Sequence, residues 1–166
     1  MDLKKALQTA LGFEKKGHDI YVMAAVNTRN PVVKKTFTYL AEQEVNHIRE
    51  IQEFMKTENP SVQLKGDKPA DTKKFFTMTV SEFAKKAKLS EDDIKAHDTA
   101  LQLEQSSYDF YRAQLGKAKD TKTRGFFKFL MDQESAHYDL VKKAYDYIKD
   151  PQGFMIEEEK WNFEGG

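Results

Sequence analysis

Two copies of Glu-x-x-His stand out, Glu44 with His47 and Glu134 with His137, 90 residues apart. Each follows a lone glutamate by 30 residues: Glu14 before Glu44, Glu104 before Glu134. The flanks repeat as well. Glu14-Lys-Lys-Gly-His-Asp-Ile-Tyr21 aligns with Glu104-Gln-Ser-Ser-Tyr-Asp-Phe-Tyr111, and Phe37-Thr-Tyr-Leu-Ala-Glu-Gln-Glu-Val-Asn-His47 with Phe127-Lys-Phe-Leu-Met-Asp-Gln-Glu-Ser-Ala-His137. Four carboxylates and two imidazoles in a two-fold pattern make a ligand set for two metal ions in a four-helix bundle. Glu and His three residues apart share a helix face, so both reach one ion. Oxygen donors with one imidazole per ion suit iron or manganese, and zinc can also be held. So few protein ligands leave positions open for dioxygen, peroxide or water.

The glutamates occupy places where Leu or Ile is expected. Four segments carry apolar residues at alternating three- and four-residue steps. They run Leu3, Leu7, Ala10, Glu14, Gly17, Tyr21, Ala24; then Val33, Phe37, Leu40, Glu44, His47, Ile51, Phe54; then Ile94, His97, Leu101, Glu104, Tyr108, Tyr111, Leu115; then Phe127, Leu130, Glu134, His137, Val141, Ala144, Ile148. These are the buried seams of bundle helices. Burying four carboxylates together is costly unless cations compensate them. Two divalent ions cancel the four negative charges, and neutral His47 and His137 add none. The alternative is a duplicated hairpin whose glutamates pair with lysines at the surface. It does not explain why the motif residues fall on the seams.

Local signals place the helix ends. Asn30-Pro31 reads as an N-cap with proline at the first helical position. Ser90-Glu91-Asp92-Asp93 resembles a capping box with Asp for the usual Glu or Gln. Asp120 can cap the last helix, and Asp150-Pro151 stops it. Residues 57–90 differ, with Pro60, Gly66 and Pro69 and a short helix expected after Thr79, capped with Glu82. The expectation is an all-α bundle over 1–150: hairpins 1–56 and 91–149, crossover 57–90, then a tail, 151–166. Two antiparallel helical hairpins joined by one long crossover are the ferritin-like arrangement. Its register can be tested on the sequence. Glu14 and Glu44 are each 15 residues from position 29, and Glu104 and Glu134 are each 15 from position 119. At ~1.5 Å per residue every carboxylate lies roughly 22 Å from its turn. All four belong to one layer.

The bulk numbers exclude other classes. The 27 basic and 27 acidic residues balance, so nothing marks nucleic acid or an anionic membrane as a partner. There is no cysteine, which rules out disulfides, iron–sulfur clusters and thiolate metal sites within this sequence. The first residues lack the apolar run of a signal peptide, and no stretch approaches a membrane span. A soluble cytoplasmic domain is expected.

The chain resembles the ferritin-like di-iron carboxylate superfamily, and within it the rubrerythrin-like branch. The resemblance implies iron as the metal, two ions per chain. It implies that Glu44 and Glu134 bridge both ions. Glu14 with His47 then completes one site, and Glu104 with His137 the other. It further implies that the Tyr21 and Tyr111 hydroxyls bond ligand carboxylates. Gln43 and Gln133 precede the bridging residues, and a Gln oxygen there can orient a ligand imidazole. Three departures stand out. Rubrerythrins usually carry a further glutamate where this chain has Ser107. Many carry a cysteine-bound rubredoxin domain. Bacterioferritins place a haem-binding Met where this chain has Val45, so no haem is expected.

His18 and His97 break the two-fold pattern, with Tyr108 and Leu7 as their counterparts. Both read as core residues or as supports behind the ligands, His18 the nearer. The aromatic tail (Phe154, Met155, Trp161, Phe163) is expected to pack on its own bundle or on a partner subunit. The acidic run Glu157-Glu158-Glu159 reads as a solvated face.

The function expected is a non-haem di-iron oxidoreductase that reacts with peroxide or dioxygen, a rubrerythrin-like peroxidase or a ferroxidase. It works as a homodimer with an external electron-donor protein, in oxidative-stress defence or Fe(II) oxidation. A ferritin-type storage subunit, an organic-substrate oxygenase and a regulatory bundle are the alternatives.

Overall fold

The computed structural model describes residues 1–57, 64, 66, 69–83 and 89–154. Among the described residues five helices follow in order: α1 Leu3–Asn27, α2 Pro31–Thr57, α3 Pro69–Phe83, α4 Glu91–Lys117 and α5 Thr121–Lys149. There is no strand among the described residues. The chain is an all-α, ferritin-like helical bundle. Pro60, Met155, Glu157, Glu158, Glu159, Trp161 and Phe163 lie outside the described residues.

The ends form where side chains satisfy the unpaired backbone amides. Asp2 accepts from the Lys5 amide at 3.1 Å. Asn30 Oδ1 accepts from Val32 and Val33 at 2.9 and 3.2 Å, with Pro31 opening α2. Ser90 and Asp93 form the reciprocal capping box, each bond 3.1 Å. Asp120 accepts from the Thr123 amide at 2.8 Å. At the far end of α4, Arg124 donates to the carbonyls of Leu115 and Ala118.

α1 packs on α2 and α4 on α5, and the hairpins meet through α1 with α4 and α2 with α5. Thr28, just after α1, donates to Asp93 at the start of α4 across 2.6 Å. So α1 and α4 are antiparallel, and the chain between α2 and α4 crosses the length of the bundle.

Part of that crossover corrects the sequence expectation. Its helix begins at Pro69, ten residues before Thr79. Thr79 is no cap: its hydroxyl bonds the Phe75 carbonyl one turn back at 2.8 Å. Glu82 instead pairs with Lys35 at 2.8 Å. The physical reason is an apolar face. Thr72, Phe76, Thr79 and Val80 are buried at helical spacing, and α3 lies against α2 and α5. Tyr39 and Phe75 stack there at 4.1 Å.

α5 ends at Lys149, before Pro151. Asp150 then caps one more helical turn, accepting from Gly153 at 3.0 Å. This turn sets Phe154 edge-on to Phe76 and Tyr147 at 5.5 and 5.8 Å, on its own bundle.

The apolar core is in two parts. One gathers Phe37, Leu40, Val141, Ala144 and Tyr147 with the buried face of α3. The other gathers Leu7, Ile51, Phe54, Phe126, Phe127 and Leu130. The glutamate and histidine layer lies on the helix seams that these two clusters share.

Candidate metal centre

All six motif residues are buried. Glu14, Glu44, Glu104 and Glu134 are 1–2% exposed, and His47 and His137 are fully enclosed. α2 and α5 each contribute one Glu and one His. Ligand-type atoms of Glu44, His47, Glu134 and His137 all lie within 4.8 Å of one another. Glu14 and Glu104 flank this group from α1 and α4. The Glu14 carboxyl meets that of Glu44, and Glu104 meets Glu134. The two imidazoles stack at 5.2 Å, 14° from parallel.

The ring orientations are informative. His47 Nδ1 faces the carboxylates, 3.1 Å from Glu14 and 3.5 Å from Glu134. His137 Nδ1 faces Glu44 at 3.9 Å. Behind His47, Nε2 lies 3.1 Å from Gln133 Oε1. An amide oxygen there holds the proton on Nε2 and leaves Nδ1 for the cluster.

Tyrosines tie the hairpins together. Tyr21 of α1 donates to Glu104 Oε1 of α4. Tyr111 of α4 donates to Glu14 Oε1 of α1 at 2.5 Å. The bonds obey the two-fold repeat.

The electrostatics are those of an uncompensated acid cluster. Burial pushes Glu44 well above the usual carboxylate range, and the charges of Glu14, Glu134 and Glu104 push it further. Burial and Glu134 do the same to Glu104, and burial and Glu14 to Glu134. Glu14 alone goes down, to about 2: burial opposes its ionisation, but His47, Glu44 and Tyr111 together outweigh it. His47 rises despite burial because Glu14 attracts its charged form. Burial and nearby carboxylates raise both Tyr21 and Tyr111, which stay protonated donors.

The donor set fits metal ions. Glu44 Oε1, Glu104 Oε2 and Glu134 Oε1 are buried and accept no hydrogen bond. A buried acceptor left unmade costs ~1–3 kcal/mol, more when charged. Divalent cations held by these oxygens and the imidazoles would satisfy them, and oxygen with imidazole suits iron or manganese.

The rubrerythrin family's sequence profile matches residues 5–145. The chain belongs to the rubrerythrin family. A hypothetical protein from Pyrococcus furiosus shares the fold, with a TM-score of 0.66 and 18% identity over 90% of this chain and 92% of that one. No curated protein matches the chain.

This member departs from the two-fold pattern at several places. Ser107, where rubrerythrins usually carry a further glutamate, is buried on α4. Its counterpart Gly17 lies against Glu44, where an added Cβ would sit 3.0 Å from Oε2. Gln43, the counterpart of Gln133, is half-buried on α2. His18 lies at the edge of the layer, half-buried. Its side chain is 35% exposed and pairs with Asp19 at 3.3 Å. Four residues beyond Glu14, it lies ~40° round the helix from it, on the outer flank. His97 is a core residue. Its ring is fully buried, with Nδ1 at 2.7 Å from the Asp93 carbonyl and an edge contact to Phe37 at 5.0 Å. Burial holds its pKa down, which keeps the ring neutral. One contact had no sequence signal. Gly66 of the crossover runs so close to Gln133 that a Cβ there would meet its amide at 2.4 Å. No helix among the described residues is long and apolar enough to cross a membrane.

Proposed function

We propose that this rubrerythrin-family chain is a non-haem di-iron oxidoreductase that reacts with hydrogen peroxide or dioxygen. The observation that carries the reading is the buried layer of four glutamates and two histidines, three of whose carboxylate oxygens accept no hydrogen bond. Glu44 and Glu134 would each serve both ions, Glu14 and His47 would complete one site, and Glu104 and His137 the other. Two bound iron ions supply redox chemistry at positions the protein leaves open.

The chain's own residues hold that centre. Tyr21 and Tyr111 pin the outer carboxylates across the hairpins, so neither Glu104 nor Glu14 can swing freely. Gln133 holds the His47 ring in one orientation. The apolar clusters on either side limit water and strengthen each electrostatic contact. Both tyrosine hydroxyls keep their protons, so they are donors at Oη beside the ligands. Electrons come from a separate donor protein. We further propose a cytoplasmic homodimer.

The test is stopped-flow oxidation of anaerobically reduced, iron-loaded protein by peroxide and by dioxygen in turn. Rapid oxidation by either, with turnover under a reductant, supports an oxidoreductase. Accumulation of many irons per chain in a very large particle supports iron storage instead. A centre inert to both oxidants contradicts the proposal.

A further inference from the structure

Among the described residues, a cleft on one flank of the bundle reaches the carboxylate layer. It lies between α4 and α5, has a volume of about 90 Å³ and is lined by Glu104, Gln105, Tyr108, Glu134, Ser135 and Tyr138. Two of these are carboxylates of the layer itself. Gln105 and Ser135 are exposed at the mouth, and Tyr108 and Tyr138 are half-buried between. The volume limits what fits. The cleft suits a molecule of a few heavy atoms, such as dioxygen, peroxide or azide. Sites for organic ligands are typically ~300 Å³ or more.

The equivalent flank of the other hairpin differs. The repeat places Val45 where Ser135 stands and His18 where Tyr108 stands. The groove there is larger, about 300 Å³, and His18, Val22, Ala41 and Val45 line it, but Glu14 and Glu44 do not. Gly17 accounts for this, since it lets the α1 backbone rest directly on the Glu44 carboxylate. A third flank, between α2 and α5, carries the crossover, with Gly66 against Gln133.

We infer that the α4–α5 cleft is the port by which a ligand of a few heavy atoms reaches the centre, with Tyr108 and Tyr138 setting its size limit. This rests on the metal-centre reading above. Chemistry then starts on the Glu104–Glu134 side, and organic molecules of ring size are excluded.

The test loads wild type, Ser135→Trp, Gln105→Trp and Val45→Trp with Co(II). It counts metal per chain and follows azide binding by visible absorption in stopped flow. All three replaced residues are exposed. Two metals per chain are expected throughout. Ser135→Trp and Gln105→Trp plug the mouth from α5 and α4, so either suffices if the other fails to fold. Each should slow azide by about tenfold or more, because entry then requires the plug to move. Val45→Trp, the mirror position, should leave the rate unchanged. Imidazole should bind the Tyr138→Ala protein and not the wild type. If the plugged variants keep two metals and the wild-type azide rate, the port is overturned and the metal centre stands. The port is equally overturned if Val45→Trp is the variant that slows. A wild-type protein that binds no metal overturns the centre itself.

Discussion

Stripping the metal should leave a protein whose stability falls as pH rises. In the metal-free chain, burial and mutual repulsion hold Glu44, Glu104 and Glu134 well above their ordinary 4.5. Above 4.5 the unfolded chain has released these protons and the folded chain still holds them. Stability therefore declines with pH, by ~1.4 kcal/mol per pH unit for each proton retained. Three such groups set an upper limit of ~4 kcal/mol per unit. His47 acts in the same direction. Its pKa is raised from 6.5, so its contribution is full below 6.5 and is lost as pH rises through the folded value. Glu14 has the opposite sign but titrates elsewhere. Its contribution is full above 4.5 and is lost only as pH falls toward about 2. For a chain of this size 1 kcal/mol moves the Tm by ~2–4 °C. One net proton thus predicts a loss of ~3–6 °C per pH unit from about pH 5 upward, for as long as the folded chain retains it. Metal reverses the slope. Ligand carboxylates must be deprotonated, so loading strengthens with pH. A site at a hundred times its Kd adds ~2.7 kcal/mol. Calorimetry of chelator-treated and reloaded protein across this range checks both slopes. Metal-free melting that is flat, or that rises in parallel with the loaded protein, refutes the reasoning.

Other outcomes follow from the same geometry. Glu134→Ala should abolish binding of both ions, while His137→Ala should mainly weaken one, by ~10–100-fold or more, as read by metal titration; identical losses would remove the bridging assignment. Tyr111→Phe removes the donor to Glu14 and should cost ~1–3 kcal/mol in the loaded protein by chemical denaturation. An unchanged midpoint would show that the bond is not formed. Gly17→Ala gains up to ~1 kcal/mol of helix propensity, yet its new Cβ, 3.0 Å from Glu44 Oε2, displaces that carboxylate. Metal affinity should fall while metal-free stability holds, and a drop in both would mean the backbone moved instead.

How much of this was legible beforehand depends on how local the signal is. Periodicity carried the four long helices, and caps at Asn30, Ser90 and Asp120 were readable because each bonds within three residues. Equal spacing from the two turns placed the glutamates in one layer, since antiparallel helices convert sequence distance into height. The α3 helix was misread. Pro69 is a helix-opening residue as well as a loop residue, and the buried run Thr72, Phe76, Val80 was there to be counted. Packing determined the rest. That Tyr21 bonds Glu104, and Tyr111 bonds Glu14, follows from which helices become neighbours. The unequal roles of Gln133 and Gln43, and the edge position of His18, break the repeat in ways its letters do not show. The contact of Gly66 with Gln133 links residues far apart in the chain, and no local pattern announces it.

The most direct test of the central claim is a crystal structure of anaerobically iron-loaded protein, with anomalous scattering recorded at the iron edge. Two iron peaks per chain are predicted, both between α2 and α5, with Glu44 and Glu134 touching both ions. Glu14 and His47 should touch one ion, and Glu104 and His137 the other. A single peak, iron at the surface only, or no iron with the six side chains positioned as in the metal-free fold would contradict it.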